Sequence, residues 1–244
     1  MSLLIAKNID KAFGGLQALS NISFGVEKGE ILGLMGANGA GKTTLFSIVA
    51  GHQQPSGGTV LFEGATISGL RPDRVCRKGI ARTFQIVRPF GGLTARENVE
   101  TALLFGGASE PSISKVSARA AGILEEVGLL DQAEKTAAAL TLSGRKRLEL
   151  ARALGTGPKL LLLDEVMAGL TPAEVADMME MVRRIKRDHG LTIIIVEHVV
   201  RALSELSNRI IVLHHGQLIA EGSPLEIAQD TAVRAVYFGE REDA

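Results

Sequence analysis

The chain reads Gly-Ala-Asn-Gly-Ala-Gly-Lys-Thr from Gly36 through Ala37, Asn38, Gly39, Ala40, Gly41 and Lys42 to Thr43. This fits the pattern G-x-x-x-x-G-K-[ST] at every fixed position. The six residues before the motif, E-I-L-G-L-M, are an apolar stretch of strand type. The seven after Thr43, T-L-F-S-I-V-A, have helical spacing. A strand, a glycine-rich turn and a helix are the context in which the motif works. Glycines let backbone N–H groups turn inward into a nest for an anion. The helix start adds the positive end of its dipole. Lys42 is predicted to reach the β- and γ-phosphates, with Thr44 beside it in the site, and the Thr43 hydroxyl to hold Mg²⁺. The chain is therefore expected to bind a nucleoside triphosphate.

A second constellation lies 122 residues beyond Lys42, where the four leucines Leu160–Leu163 end in Asp164 and Glu165. A buried apolar strand ending in two carboxylates is costly unless a cation is held there. Asp164 is predicted to support Mg²⁺ through water, and Glu165 to orient and deprotonate an attacking water.

The first third of the chain reads as strand-rich, with strands at Leu3–Ile9, Ile22–Val26, Ile31–Met35 and Thr59–Phe62, a helix over 42–50, and a strand over 80–84. From about residue 88 to 154 Ala, Leu, Glu and Arg dominate and the spacing turns helical, as in Ser117–Val127 and Arg147–Leu154. Thr94 followed by Glu97 signals a capping box. The α/β pattern resumes at Lys159: strand Leu160–Leu163, a helix from Pro172 to about Asp188 capped by Thr171, strand Thr192–Val196, a helix from about Val199 to Leu206, and strand Arg209–Leu213. This alternation predicts a parallel sheet flanked by helices. A Gly216–Gln217 turn, a short strand and two short helices are expected at the C-terminal end. The expected organisation is one domain over 1–244, with 1–87 and 155–244 forming a nucleotide-binding core and 88–154 an inserted helical subdomain.

Composition narrows the classes. Of the 244 residues, 45% are hydrophobic, and 27 Lys plus Arg balance 27 Asp plus Glu. A zero net charge supplies no basic field for nucleic acid, so no nucleic-acid partner is expected. A single cysteine, Cys76, excludes an internal disulfide and fits a reducing compartment. No signal peptide is expected, and no apolar run approaches the roughly 18–20 residues that span a bilayer. Any service to a membrane is expected from the cytoplasmic side, through partners. His214 and His215 are adjacent on a strand, so they are expected to point to opposite faces and not to bind metal.

Together these motifs resemble the ATP-binding subunits of ABC transporters, over nearly the whole chain. The resemblance implies an α/β fold: a P-loop NTPase core of RecA type with an antiparallel β subdomain and an inserted α-helical subdomain. It implies that Phe13 stacks on adenine. Gln85, in R-T-F-Q, links the nucleotide and metal site to the helical lobe, and His198, in V-E-H-V, contacts the γ-phosphate.

The family signature L-S-G-G-Q is altered here. Its leucine usually stands 24 residues before the magnesium Asp, which gives Leu140. The segment is then Leu140, Thr141, Leu142, Ser143 and Gly144. Thr141 keeps a hydroxyl where Ser is usual, Leu142 and Ser143 replace two glycines, and Gly144 replaces Gln. The resemblance implies that Thr141, Ser143 and Gly144 face the γ-phosphate held by a second subunit. Leu142 adds bulk at this approach. Val166 stands where Pro is usual and Thr171 where Asp is usual. Arg145–Arg147 reads as a solvated basic helix start.

The resemblance further implies an ATP hydrolase that uses ATP and Mg²⁺ and works with a second ATPase subunit, identical or different. It would be peripheral on the cytoplasmic side of the cell (inner) membrane, bound to permease subunits and indirectly served by a periplasmic or extracellular solute-binding protein. R-T-F-Q, R-L-E-L-A-R and the C-terminal V-R-A-V-Y-F-G-E most resemble branched-chain amino-acid importers, whose solutes include amino acids, amides and urea. Lipopolysaccharide-export ATPases are the nearest alternative. A soluble ABC ATPase of DNA repair or translation would bring a coiled-coil insertion, a basic surface or two cassettes. A P-loop kinase would not account for the order Gln85, Leu140–Gly144, Asp164–Glu165, His198.

Overall fold

A computed structural model of the chain describes residues 2–84, 88–107 and 112–238. The N-terminal part runs through β1 (Ser2–Phe13), β2 (Leu16–Glu27), β3 (Ile31–Gly36), α1 (Lys42–Val49), β4 (Gly57–Phe62) and β5 (Ala65–Thr66). The middle of the chain forms α2 (Pro72–Arg77), β6 (Ile80–Arg82), α3 (Ala95–Phe105), α4 (Ile113–Glu126), α5 (Leu142–Gly155), β7 (Leu160–Asp164) and α6 (Pro172–His189), with short 3-10 turns at Leu130–Gln132 and Ala137–Ala139. The C-terminal part adds β8 (Thr192–Val196), α7 (Val200–Leu206), β9 (Arg209–His214), β10 (Gln217–Gly222), α8 (Pro224–Gln229) and α9 (Thr231–Phe238). The chain divides into two compact units, Met1–Pro72 with Thr192–Ala244, and Asp73–Leu191.

In the first unit, β2, β1, β4 and β5 form an antiparallel sheet in that order. Leu4, Ile9, Leu19, Ile22 and Val60 carry its buried face. The strands run further than the apolar pattern implied. The β1–β2 ladder continues to Phe13↔Leu16, through register shifts that break the period-two alternation. The other sheet of this unit places β3 between β9 and β8, both parallel to it, with β10 antiparallel on β9. Ile193, Ile194, Ile195, Val196, Ile211 and Val212 are all buried, as unbroken apolar runs in parallel strands require. The strands are short, and their crossovers are helical, as the β-α-β-α reading anticipates.

In the second unit β6 and β7 pair in parallel from Ile80↔Leu160 to Arg82↔Leu162, and every residue of β7 is buried. Helices make up most of the rest. Thr94 and Glu97 form the capping box that starts α3. Thr171 and Glu174 form another at α6, with Pro172 in the first turn. α5 begins five residues before Arg147, because Thr141 caps it by accepting from the Gly144 N–H. α2 has no counterpart in the sequence reading. It is six residues long with only Val75 buried, too short to show a period.

Candidate functional site

In the first unit the buried strand β3 delivers the chain into the glycine-rich loop, and α1 begins at Lys42. Gly41 is the N-cap residue at φ 107°, where a Cβ would stand 2.6 Å from Leu19 Cδ2 and 2.8 Å from the Ala18 carbonyl oxygen. Only glycine fits that point. Ala37, Asn38 and Gly39 are exposed, whereas Lys42 is buried. Its Nζ donates to the carbonyl oxygens of Gly36, at 2.5 Å, and Ala37, at 2.9 Å. The ammonium is thus folded over the loop's own turn, beside the N–H groups at the start of α1. That is an anion-binding concavity. Thr43 is exposed and Thr44 half-buried on the first turn of α1. The loop is braced by the β9–β10 turn. The Gly216 N–H donates to the Ala40 carbonyl at 3.1 Å, and the Ser20 N–H to the Gly216 carbonyl at 2.7 Å.

His198 follows β8 and is exposed. With Glu197 it lines a cavity of about 240 Å³ that also takes in Gly36, Ala37 and Asn38. The structure therefore brings His198 to the phosphate loop. Phe13 ends β1 with 45% of its surface exposed, and the Lys11 ammonium lies 4.8 Å from its ring centroid. It is an open aromatic face and not a core residue.

In the second unit β7 ends at Asp164, which is buried and ion-paired through Oδ2 with Arg82 Nη2 at 2.7 Å. The Asp164 N–H donates to Thr83 Oγ1 at 3.1 Å. Glu165 is buried and held in the left-handed region at φ 51°. Its carbonyl oxygen accepts from Lys146 Nζ at 2.8 Å and from the Ala168 N–H at 3.2 Å. The signature segment stands close by. Thr141 caps α5, Leu142 is 40% exposed, and Leu142 Cδ2 lies 3.2 Å from where a Cβ on Gly169 would be. Ser143 is half-buried and Gly144 buried. The Ser143 hydroxyl hydrogen-bonds Glu174 at the start of α6. The Thr171 N–H, ahead of Ser143, lowers the Glu174 pKa. Gln85 lies outside the described residues.

Two readings change. The Arg145–Arg147 run is not a solvated helix start. Lys146 is buried, and Arg147 donates to the Val127 carbonyl and approaches Asp177 at 3.9 Å. A long basic side chain on the inner face of a helix can extend its stem over apolar neighbours and place its charge on a buried carbonyl. His214 and His215 do not diverge either. Their rings meet edge to face at 4.1 Å, because His215 leaves the strand at φ 45°.

The sequence reading also missed Arg82, Lys146 and Glu149. Glu149 on α5 is buried and pairs with Arg152 at 3.3 Å, and it accepts from the N–H groups of Arg88 and Phe84. Burial pushes its carboxyl above the usual range, against the opposing pull of Arg152 and those N–H donors. Only the helical period, which places Glu149 among inward residues, carried any signal for it. A further cavity of about 290 Å³, bordered by Arg119, Glu126 and His189, contains none of the predicted residues.

Of the residues expected to hold a metal, Thr43 offers a hydroxyl oxygen and Asp164 a carboxylate. Oxygen donors of this kind suit a hard cation that keeps much of its water and takes the rest of its ligands from phosphate. Among the described residues no cluster of three or more His, Cys, Asp or Glu could hold a metal ion. As oxygen donors, the Thr43 hydroxyl and the Asp164 carboxylate each have the chemistry Mg²⁺ takes.

The ABC transporter family model matches residues 19–168, and a C-terminal model, that of branched-chain amino acid ATP-binding cassette transporters, matches residues 217–243. The chain belongs to the ABC transporter family, as one of its ATP-hydrolysing subunits. It is 36% identical to the high-affinity branched-chain amino acid transport ATP-binding protein LivG of Escherichia coli (strain K12), over 98% of both chains. It is also 36% identical to the lipopolysaccharide export system ATP-binding protein LptB of the same strain, again over 98% of both. Among solved structures, the ADP conformation of MJ1267, an ATP-binding cassette of an ABC transporter, matches with a TM-score of 0.89 and 31% identity, over 98% of this chain and 100% of that one. A dimeric post-hydrolysis structure of the ATP-binding cassette MJ0796, bound to ADP and Pi, matches at 0.82 and 26% identity, over 91% and 98%.

Proposed function

We propose that this chain powers an ABC importer for branched-chain amino acids or related small polar solutes, from the cytoplasmic side of the membrane. ATP lies with its adenine on Phe13 and its phosphates over Gly36–Thr43, where Lys42 and the α1 N–H groups neutralise them. Thr43, Asp164 and Gln85 would hold Mg²⁺, which would offset phosphate charge when bound. Glu165 orients the attacking water and takes its proton, while His198 contacts the γ-phosphate. A second ATPase subunit, identical or a sister chain, brings its signature segment to the γ-phosphate. Because that contact exists only with ATP, binding favours the closed pair and hydrolysis releases it.

The observation that carries the reading is the buried Lys42 ammonium bonded to the Gly36 and Ala37 carbonyls of the phosphate loop, with His198 lining a cavity beside Gly36, Ala37 and Asn38. The apolar surfaces of Leu104, Phe105 and Ile113, exposed at the facing ends of α3 and α4, suit a permease contact. The C-terminal match, to branched-chain amino acid ATP-binding cassette transporters, supports that class of solute. A periplasmic or extracellular binding protein would then deliver the solute.

The test is turnover and nucleotide affinity together. Glu165→Gln is expected to keep ATP affinity and lose turnover by about 10²–10⁴-fold, the range for a general base. Lys42→Ala is expected to lose tight ATP binding. Normal turnover by Glu165→Gln would reject the base assignment.

A further inference from the structure

Glu165 has an unusual backbone for a residue with a side chain. Its φ of 51° lies in the left-handed region, and its flank is not glycine. Such a conformation persists only where its surroundings over-determine it, and it fixes where the carboxylate points. Two donors converge on the Glu165 carbonyl oxygen. One is the Ala168 N–H at 3.2 Å, the ordinary closure of the turn after β7. The other is Lys146 Nζ at 2.8 Å, in a buried contact between residues 19 apart in sequence.

Lys146 is not a surface lysine that happens to reach inward. It is only 5% exposed, in the second turn of α5, the helix that Thr141 caps and the signature segment begins. Burying an ammonium is costly, and a charged donor on a carbonyl recovers more of that cost than a neutral one. The same helix touches the same turn a second time, at Leu142 beside Gly169. The turn carrying Glu165 is therefore gripped at two points by the helix whose start carries the signature.

We propose that Lys146 is a positioning residue for the hydrolysis step, which holds Glu165 in its left-handed backbone and ties the carboxylate's aim to the position of the signature helix. The proposal rests on the assignment of Glu165 as base. Movement of α5 when its N-terminus engages a nucleotide would pull on the Glu165 carbonyl through Lys146, so that one subunit's signature contact is felt at that subunit's own hydrolytic carboxylate. Lys146 acts through the peptide group of Glu165 and not on the substrate.

The full-length chain tests this through Lys146→Met and Lys146→Arg. Lys146→Met keeps the stem and removes the donor. Its kcat is expected to fall about 10–30-fold, with the Kd for ATP within twofold of the parent. Lys146→Arg keeps a charged donor and is expected to return kcat to within about threefold. A merely structural role would lower folded protein and ATP binding together, and would not be rescued selectively in kcat. The decisive measurement is a double-mutant cycle. In a Glu165→Gln background, Lys146→Met should cause no further loss, because the group it positions is gone. Parental kcat in Lys146→Met overturns the proposal. So does an equal further loss in the Glu165→Gln background. If Lys146→Met does not fold, Lys146→Gln, too short to reach the carbonyl, takes its place with the same expectations. Normal turnover by Glu165→Gln alone would instead sink the base assignment, whatever Lys146 does.

Discussion

At the scale of single residues, charges held out of water carry the information. Asp164 and Arg82 face each other at 2.7 Å with side chains 5% and 9% exposed. Removing one partner of such a pair strands the other, at a cost of about 3–5 kcal/mol, whereas replacing both with apolar residues can be nearly neutral. Arg82→Met is therefore expected to lower the stability read from urea denaturation by about 3 kcal/mol or more. Arg82→Met combined with Asp164→Leu should recover most of that loss, while loss of the Asp164 carboxylate abolishes ATP turnover. If the double variant is no more stable than Arg82→Met, the pair is not what sets the cost. The contrast also marks what was legible in the sequence. Asp164 and Glu165 were readable because two acids after four leucines conflict with their surroundings. Arg82 was not, since an arginine at a strand end looks like any solvated cation until the neighbouring strand is known. Lys146 was hidden for the same reason, in a basic run whose inward face depends on where α5 starts.

At the scale of elements, two threonine caps permit a controlled comparison. Thr171 caps α6 in a full capping box with Glu174, and the carboxyl of Glu174 is held below the usual range by the Thr171 N–H and hydroxyl. Thr141 caps α5 by accepting from the Gly144 N–H at 3.1 Å, without a reciprocal glutamate. Its oxygen serves as acceptor, so its hydroxyl hydrogen stays available to donate to a phosphate. Replacing either threonine with alanine should cost about 1 kcal/mol in thermal or urea unfolding. Only Thr141→Ala should also weaken ATP-dependent pairing of subunits and lower turnover. If Thr171→Ala lowers turnover as much as Thr141→Ala, the signature register beginning at Leu140 loses its support. Element types were readable wherever a period ran long enough. β7, β8 and β9 announce themselves as buried apolar runs, and α6 by its cap, proline and spacing. Extents were less readable. β1 and β2 run past their apolar stretches because ladder hydrogen bonds do not depend on side-chain polarity, and register shifts hide the alternation. The turn at His215 was unreadable as a strand position because a left-handed residue breaks the two-residue period.

At the scale of the whole molecule, the absence of a bias is itself a physical property. Positive and negative side chains balance at 27 each, and among the described residues no helix is long and apolar enough to cross a bilayer. A chain without net charge gains no overall attraction to anionic headgroups, where clustered Lys and Arg are worth about 1 kcal/mol each. Among the described residues, exposed apolar side chains such as Phe105, at 78%, and Ile113, at 83%, stand at helix ends, whereas holding a chain in an interface takes a continuous apolar helix face. They can contribute at a protein surface that already fits them. On the proposed reading, attachment to the membrane comes from permease contacts. The purified full-length chain is expected to stay in the supernatant when spun with phosphatidylcholine vesicles, and equally with vesicles rich in phosphatidylserine. Expressed together with its permeases, it should sediment with membranes and leave them in detergent only as part of the complex. Substituting Phe105 and Ile113 by serine should weaken that sedimentation without changing ATP affinity, because neither residue belongs to the phosphate loop. Sedimentation of the chain alone with either vesicle would mean that it carries a membrane-binding surface of its own, and the permeases would no longer be needed to explain where it works.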